Sequence, residues 1–271
     1  MERVLQIVEG TRKSHQKVLN LSHRELKIVP AELAHLSSIR TLLLNDNQII
    51  MPPEEISHLQ NLEYLSLEHN QLTLLPSLFS SLADSLQFLN LSHNPFTYLP
   101  PVVSQLINLR SLWLENVGLT SFPSNICGIA SLEKLSLAGN GIPEIGEEIG
   151  NLVNLRWFSL TKNKLLHLGH SGDGENSAHF SKLVKLEVLL LQDNLLSEFP
   201  LVLCSLQSLA SVNLKRNKII SLSSDALAHI MSSNVLVKLD LRENPFNLQL
   251  ESVNKDYKPG SVLDDPRIIL T

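Results

Sequence analysis

A frame of eleven residues, apolar at positions one, four, six and eleven with Asn at nine, recurs along most of the chain and constrains its fold more than any other feature. It is cleanest at 62–72, LEYLSLEHNQL. It returns at 39–49, 86–96, 132–142, 155–165, 186–196, 209–219 and 236–246, with weaker copies starting at Gln16 and Leu109. Most successive starts are 23 residues apart and one is 24, while two longer steps, of 31 and 27, mark insertions. A fixed period of this length means stacked supersecondary units, each burying its apolar face against its neighbours.

Each element of the frame has a physical reason. In LxxLxL the leucines at positions four and six point one way and the residues between them the other, as a strand requires. Strands repeated in one direction pair in parallel, and a parallel strand cannot return by a tight hairpin, so every copy needs a crossover. The remaining residues supply it: in LPSLFSSLADS, residues 75–85, the apolar spacing predicts a short helical or 3-10 turn whose leucines meet those of the strand. The Asn at position nine stands where the chain leaves the strand, and its amide satisfies buried backbone groups that would otherwise lack partners. Two copies depart from it. The fifth has Val117 there, with Asn116 one place early, which reads as a local weakness; the first has Arg24, which reads as a solvent-facing terminal departure.

The combined pattern LxxLxLxxNxL followed by xxLPxxIxxLxx resembles the short intracellular leucine-rich repeats of the Ras-suppressor and scribble type. Leu75-Pro76, Leu99-Pro100, Phe122-Pro123 and Phe199-Pro200 carry that subtype's Leu-Pro step, and Ile145-Gly146 departs from it. The resemblance covers about residues 16–250. It implies an α/β leucine-rich-repeat solenoid, a horseshoe with a curved parallel sheet on the concave face and short helical or 3-10 segments on the convex face. It also implies an adaptor in signalling, polarity or phosphatase regulation, without naming a partner.

The expected organisation is an N-terminal helical cap over residues 1–15, repeats over 16–250, and a C-terminal cap or tail over 251–271. Val4, Leu5, Ile7 and Val8 alternate with polar residues as an amphipathic helix does, covering the apolar end that a stack of repeats exposes. At the other end Arg267-Ile268-Ile269-Leu270 either packs back on the last repeat, the favoured reading, or forms a partner-binding tail. The segment around 169–179, with Gly169, Gly172 and Gly174, reads as an exposed inserted loop. Asp173, Glu175 and Asn176 lack the spacing and the closing Glu of a calcium loop, so no metal is assigned there.

Composition narrows the function. A formal net charge of −5 argues against a general nucleic-acid binder, and no stretch approaches the roughly 18 apolar residues of a membrane span. Glu2, Arg3, Glu9, Arg12 and Lys13 interrupt any apolar core of a signal peptide, and Cys127 and Cys204 are too few for a disulfide framework. The chain therefore reads as intracellular and cytoplasmic. Both cysteines fall at apolar spacing in the outer segments and read as packing residues. No P-loop, HExxH or paired-carboxylate motif is present, so neither catalysis nor a cofactor is expected.

The outward positions of the frame compose a candidate partner-binding face. Position three contributes Tyr64, Phe88, Trp157 and Lys238; position five contributes Asn90, Trp113 and Ser159; position seven contributes Glu68, Glu115, Lys215 and Arg242. Leucines already fill the core side of these strands, so the aromatics stand outside it. Trp and Tyr are frequent energetic centres of protein interfaces, though shielding of the sheet without a partner is the alternative. Copies one to five place Asp46, Glu68 and Glu115 at the outward positions and no Lys or Arg. Copies six to ten place Lys134, Lys162, Lys215, Arg216, Lys238 and Arg242 there against Asp193, Asp240 and Glu243. Such a dipolar face would orient an elongated partner. Position eight stacks His23, Asp46, His69 and His93; a column at a sheet edge rarely converges on an ion, so it reads as solvated and no metal is assigned.

The functional expectation is a non-catalytic scaffold or adaptor that binds a protein in intracellular signalling. The alternatives are a regulatory subunit of a phosphatase or kinase, and a recognition domain of a larger protein.

Overall fold

The structure, a computed structural model, describes residues 1–168, 179–246 and 265–270. The expected loop falls largely outside these residues. The chain divides into two compact units, residues 1–136 and 137–271.

The first unit opens with helix α1, Glu2–Lys13, which buries Val4, Val8 and Thr11 against the first rung, where a cap was expected. Six three-residue strands follow: β1 Val18–Asn20, β2 Thr41–Leu43, β3 Tyr64–Ser66, β4 Phe88–Asn90, β5 Ser111–Trp113 and β6 Lys134–Ser136. Each pairs in parallel with the next, equivalent positions opposite one another: Leu19 faces Leu42, Leu42 faces Leu65, and so on to Leu135. The central residue of every strand points into the core and is fully buried. Crossovers are 3-10 turns at Ala31–His35, Glu54–His58, Ser77–Leu82, Pro101–Gln105 and Ser124–Gly128. All five follow a proline, at Pro30, Pro53, Pro76, Pro100 and Pro123. The ring fixes φ for the turn entrance and forgoes an N–H that would have no partner there.

The second unit contains β7 Trp157–Ser159, β8 Val188–Leu190, β9 Ser211–Asn213, β10 Lys238–Asp240 and β11 Ile268–Ile269, again parallel and in register from each to the next. Crossovers among its described residues include 3-10 turns at Glu147–Asn151 and Leu201–Ser205 and an α-helix, α2, at Ser224–Ser232. The longer step between the ninth and tenth copies accommodates α2, whose N-cap Ser223 accepts the Ala226 N–H at 3.2 Å. Gly146 replaces proline before Glu147–Asn151 yet holds the same extended conformation, φ −72° and ψ 162°. Gly150, in that turn, has a packing reason: a Cβ there would stand 2.6 Å from the His179 carbonyl oxygen, where the chain re-enters after the insertion. Ile268 and Ile269 pair with Leu239 and Asp240, so 268–269 adds an eleventh strand rather than a loose tail.

Two repeated features hold the rungs. The position-nine asparagines satisfy buried backbone groups, as expected, and do so as a ladder. Asn70 donates Nδ2 to its own rung's Leu67 O at 3.0 Å and to the preceding rung's Leu44 O at 2.9 Å, while Oδ1 accepts the Ile49 N–H at 3.0 Å. Asn47, Asn94, Asn163, Asn194, Asn217 and Asn244 bridge their rungs in the same way. Position eight is left-handed in all ten copies: His23, Asp46, His69, His93, Asn116, Gly139, Lys162, Asp193, Arg216 and Glu243 have φ between 50° and 68°. That turn aims the next residue, the asparagine, back into the core.

The two departures resolve differently. At the fifth copy Val117 is itself buried, and Thr97, forced to φ 61°, donates its N–H to Val117 O at 3.0 Å, so a backbone bond stands where an amide would. Arg24 is half-buried rather than solvent-facing.

Candidate protein-interaction face

Strand register decides which of the predicted residues meet. In the first unit Tyr64 lies opposite Phe88, and their rings stack at 3.9 Å between centroids with 4° between planes. Asn90 lies opposite Trp113 on the next strand. All four are half-buried and stand on the sheet face that the leucines leave. Burial raises the Tyr64 pKa above its ordinary value, with the Glu68 carboxylate adding to the effect.

Two acids border this patch, each held in place. Glu68 Oε2 accepts from Asn90 Nδ2 at 2.8 Å, and the Asn90 Oδ1 accepts the Ser92 N–H at 3.0 Å, which sets the amide's orientation. Glu115 Oε1 accepts from Ser136 Oγ at 2.6 Å, and its N–H donates to Ser92 Oγ at 3.0 Å. Six of the predicted residues, Tyr64, Glu68, Phe88, Asn90, Trp113 and Glu115, therefore form one aromatic patch with an acidic border on the first unit.

The remaining predicted residues lie in the second unit, and several differ from expectation. Trp157 is half-buried beside Val188 on the neighbouring strand. Ser159 is 3% exposed, with its Oγ bonded to Thr161 Oγ1 at 3.1 Å, so it is not a contact residue. A small side chain at position five sinks below its larger neighbours. Arg242 is committed inside its own repeat: it grips Asp240, 1% exposed, with Nη2–Oδ2 at 2.6 Å and Nε–Oδ1 at 3.0 Å. Burial works against the Asp240 carboxylate, but hydrogen bonds from Arg242 outweigh it and hold the pKa below the ordinary value. Lys215 pairs with Glu243 at 2.7 Å, and Arg216 with both Glu243 at 2.6 Å and Asp193 at 3.8 Å. Lys238 stands exposed. These pairs consume the three acids already set against the bases, so the excess in the later copies rests on Lys134, Lys162 and Lys238.

Sequence reasoning placed the histidine column but not its geometry. His69 and His93 stack at 4.0 Å with 8° between planes, and His69 Nε2 lies 3.7 Å from Glu68 Oε1. The three side chains each bring a ligand atom within 4.8 Å of the others. His23 meets Asp46 at 3.4 Å two rungs earlier. The legible signal was Glu-His at positions seven and eight with a second His one repeat on. Cys127 is buried, as expected of a packing residue, and Cys204 is partly buried, its thiol pKa raised by burial and by Asp225. Among the described residues no helix is long and apolar enough to cross a membrane.

Known proteins share this architecture. A family model for a leucine-rich repeat region matches residues 54–168. Keratocan from Gallus gallus is 33% identical over 151 residues, 55% of this chain and 38% of keratocan. The TMV resistance protein N from Nicotiana glutinosa is 34% identical over 129 residues, 47% of this chain and 11% of that protein. Disease resistance-like protein DSC1 of Arabidopsis thaliana is 41% identical over 58 residues, 21% of this chain and 5% of its own length. The chain thus spans well under half the length of these relatives. Among solved structures, an internalin from Listeria monocytogenes superposes with a TM-score of 0.77 at 19% identity, covering 99% of this chain and 77% of the internalin. The Drosophila Toll–Spatzle complex gives 0.73 at 24% identity, over 89% of this chain and 32% of that one. The repeated frame, the parallel strands with 3-10 crossovers and these likenesses together show a leucine-rich-repeat fold.

Proposed function

We propose that the protein is a non-catalytic adaptor of the Ras-suppressor and scribble type, acting in cytoplasmic signalling, that holds a protein partner on the sheet face of its first unit. One observation carries the reading: Tyr64, Phe88 and Trp113 stand on the solvent side of a sheet whose other side is filled with leucine, bordered by the held carboxylates of Glu68 and Glu115. Rigid aromatics presented outside a core are the anchors on which protein interfaces concentrate their binding energy. The acidic border favours a partner segment with apolar residues flanked by Lys or Arg. The subtype rests on the Leu-Pro steps, whose prolines begin the crossovers after Leu75, Leu99, Phe122 and Phe199. Protein binding has precedent in the fold, since solved structures of like architecture include Toll with Spatzle and a plant peptide hormone receptor with RGF2.

The test is affinity capture with the full chain and with Trp113→Ala combined with Tyr64→Ala. Partners identified with the parent are expected to be lost with the double variant at unchanged circular dichroism. Equal capture by the folded variant removes this face from consideration. Phosphatase or kinase activity co-eluting with the parent assigns a regulatory subunit rather than an adaptor.

A further inference from the structure

The geometry points to a zinc site on the edge of the first unit, formed by the imidazoles of His69 and His93 and the carboxylate of Glu68, with the remaining coordination open to solvent. The three ligand atoms lie within 4.8 Å of one another. Tetrahedral zinc, with bonds of about 2.0–2.2 Å, sets donors roughly 3.3 Å apart. The gap is closed by side-chain rotation: His69 is exposed, and His93 and Glu68 are half-buried. The parallel rings must tilt so that both lone pairs meet at one point, giving up their stacking for coordination.

The backbone beneath is held. Both histidines occupy the left-handed turn at position eight, φ 52° and 56°, in consecutive rungs. Their N–H groups donate to Ser92 O at 3.0 Å and to Glu115 O at 2.7 Å. Glu68 is supported from outside the ligand set: Asn90 binds Oε2, leaving Oε1 directed at His69, 3.7 Å away. Support of this kind, a fixed amide orienting a ligating carboxylate, sharpens metal affinity. Two imidazoles and one carboxylate suit zinc rather than calcium or magnesium, which require mainly oxygen donors. Three protein ligands with an open position make an exchangeable site, unlike a closed four-ligand structural one.

The experiment uses the full chain stripped of metal by chelation and titrated with ZnCl2 in a calorimeter. One saturable ion per chain is expected, undisturbed by excess Mg2+ or Ca2+. His69→Asn with His93→Asn removes both imidazoles while keeping a side chain that tolerates the left-handed turn, and is expected to weaken binding at least about 100-fold. Asn90→Ala is expected to weaken it roughly 10-fold, as loss of an orienting partner does. In the unmodified chain, the imidazole nitrogen resonances of His69 and His93 should shift together on zinc addition. Absence of saturable binding, full affinity in the folded double variant, or resonance shifts confined to other histidines each overturns the assignment.

Discussion

Asn70 shows how one side chain joins two rungs: its amide reaches Leu44 O and Leu67 O and receives the Ile49 N–H, all in buried surroundings. Removing it leaves the Ile49 N–H without its acceptor, while Leu44 O and Leu67 O keep the amides of Asn47 and Asn94, and an unsatisfied buried polar group costs about 1–3 kcal/mol. Asn70→Ala is therefore expected to lower the unfolding free energy by at least about 1 kcal/mol, read from urea titrations; an unchanged midpoint would show that water replaces the amide without loss. The same residue scale explains which outward placements were legible. Tyr64, Phe88 and Trp113 were, because strand alternation alone sends them outward. Ser159 and Arg242 were not, since a short side chain sinks between taller neighbours and an arginine turns to whichever carboxylate lies in reach. The left-handed residue at position eight was not anticipated either. Side chains as unlike as Lys162, Asp193 and Glu243 take that conformation, and so do His23 and Asn116, where no asparagine follows, so the turn belongs to the backbone path out of the strand rather than to the residue that occupies it.

Crossover elements follow from the room between strands. A 23-residue step leaves space for a five-residue 3-10 turn, as at Glu54–His58, and the 27-residue step leaves space for the nine-residue α2. The sequence marked the extra length but not its helical form, since apolar spacing over so few residues fits either. Strand β11 was legible only as one of two alternatives, and an arginine anchors it: Arg267 binds Asp265, at 2.6 Å between Nη2 and Oδ2, and donates Nη1 to Ser233 O at 2.7 Å. Hydrogen bonds from Arg267 hold the Asp265 pKa below its ordinary value, and those from Arg242 outweigh burial to do the same for Asp240. A carboxyl with a depressed native pKa binds its proton more weakly than in the unfolded chain, so its stabilisation is complete above the ordinary value of about 3.9 and fades as pH falls through it. Stability is expected to drop between about pH 6 and about pH 3.5, and to drop less in Asp265→Asn, which has no such carboxyl to protonate. Identical losses in urea titrations of both proteins at those two pH values would remove Asp265 from the account.

At the scale of the molecule, cohesion is local: within each unit a rung is bonded to its neighbours, and no disulfide is present among the described residues, where both cysteines are free. Leu137, 0% exposed, is one of the ladder's core leucines. Leu137→Ala is expected to cost about 2–5 kcal/mol, with loss of hydrogen-exchange protection greatest in the flanking rungs and decaying along the chain. A uniform loss across every repeat would instead show a single cooperative core. The sequence by itself determined the repeat, the strand positions, the buried leucines and the asparagine ladder, because periodic apolar burial admits one register. The tertiary structure alone decided how the outward side chains dispose of their charges and lone pairs: the pairing of Lys215, Arg216 and Arg242, the burial of Ser159, and the approach of Glu68, His69 and His93. Those outcomes depend on rotamers and on what the adjacent rung offers within a few ångströms, which a periodic pattern places side by side but does not orient.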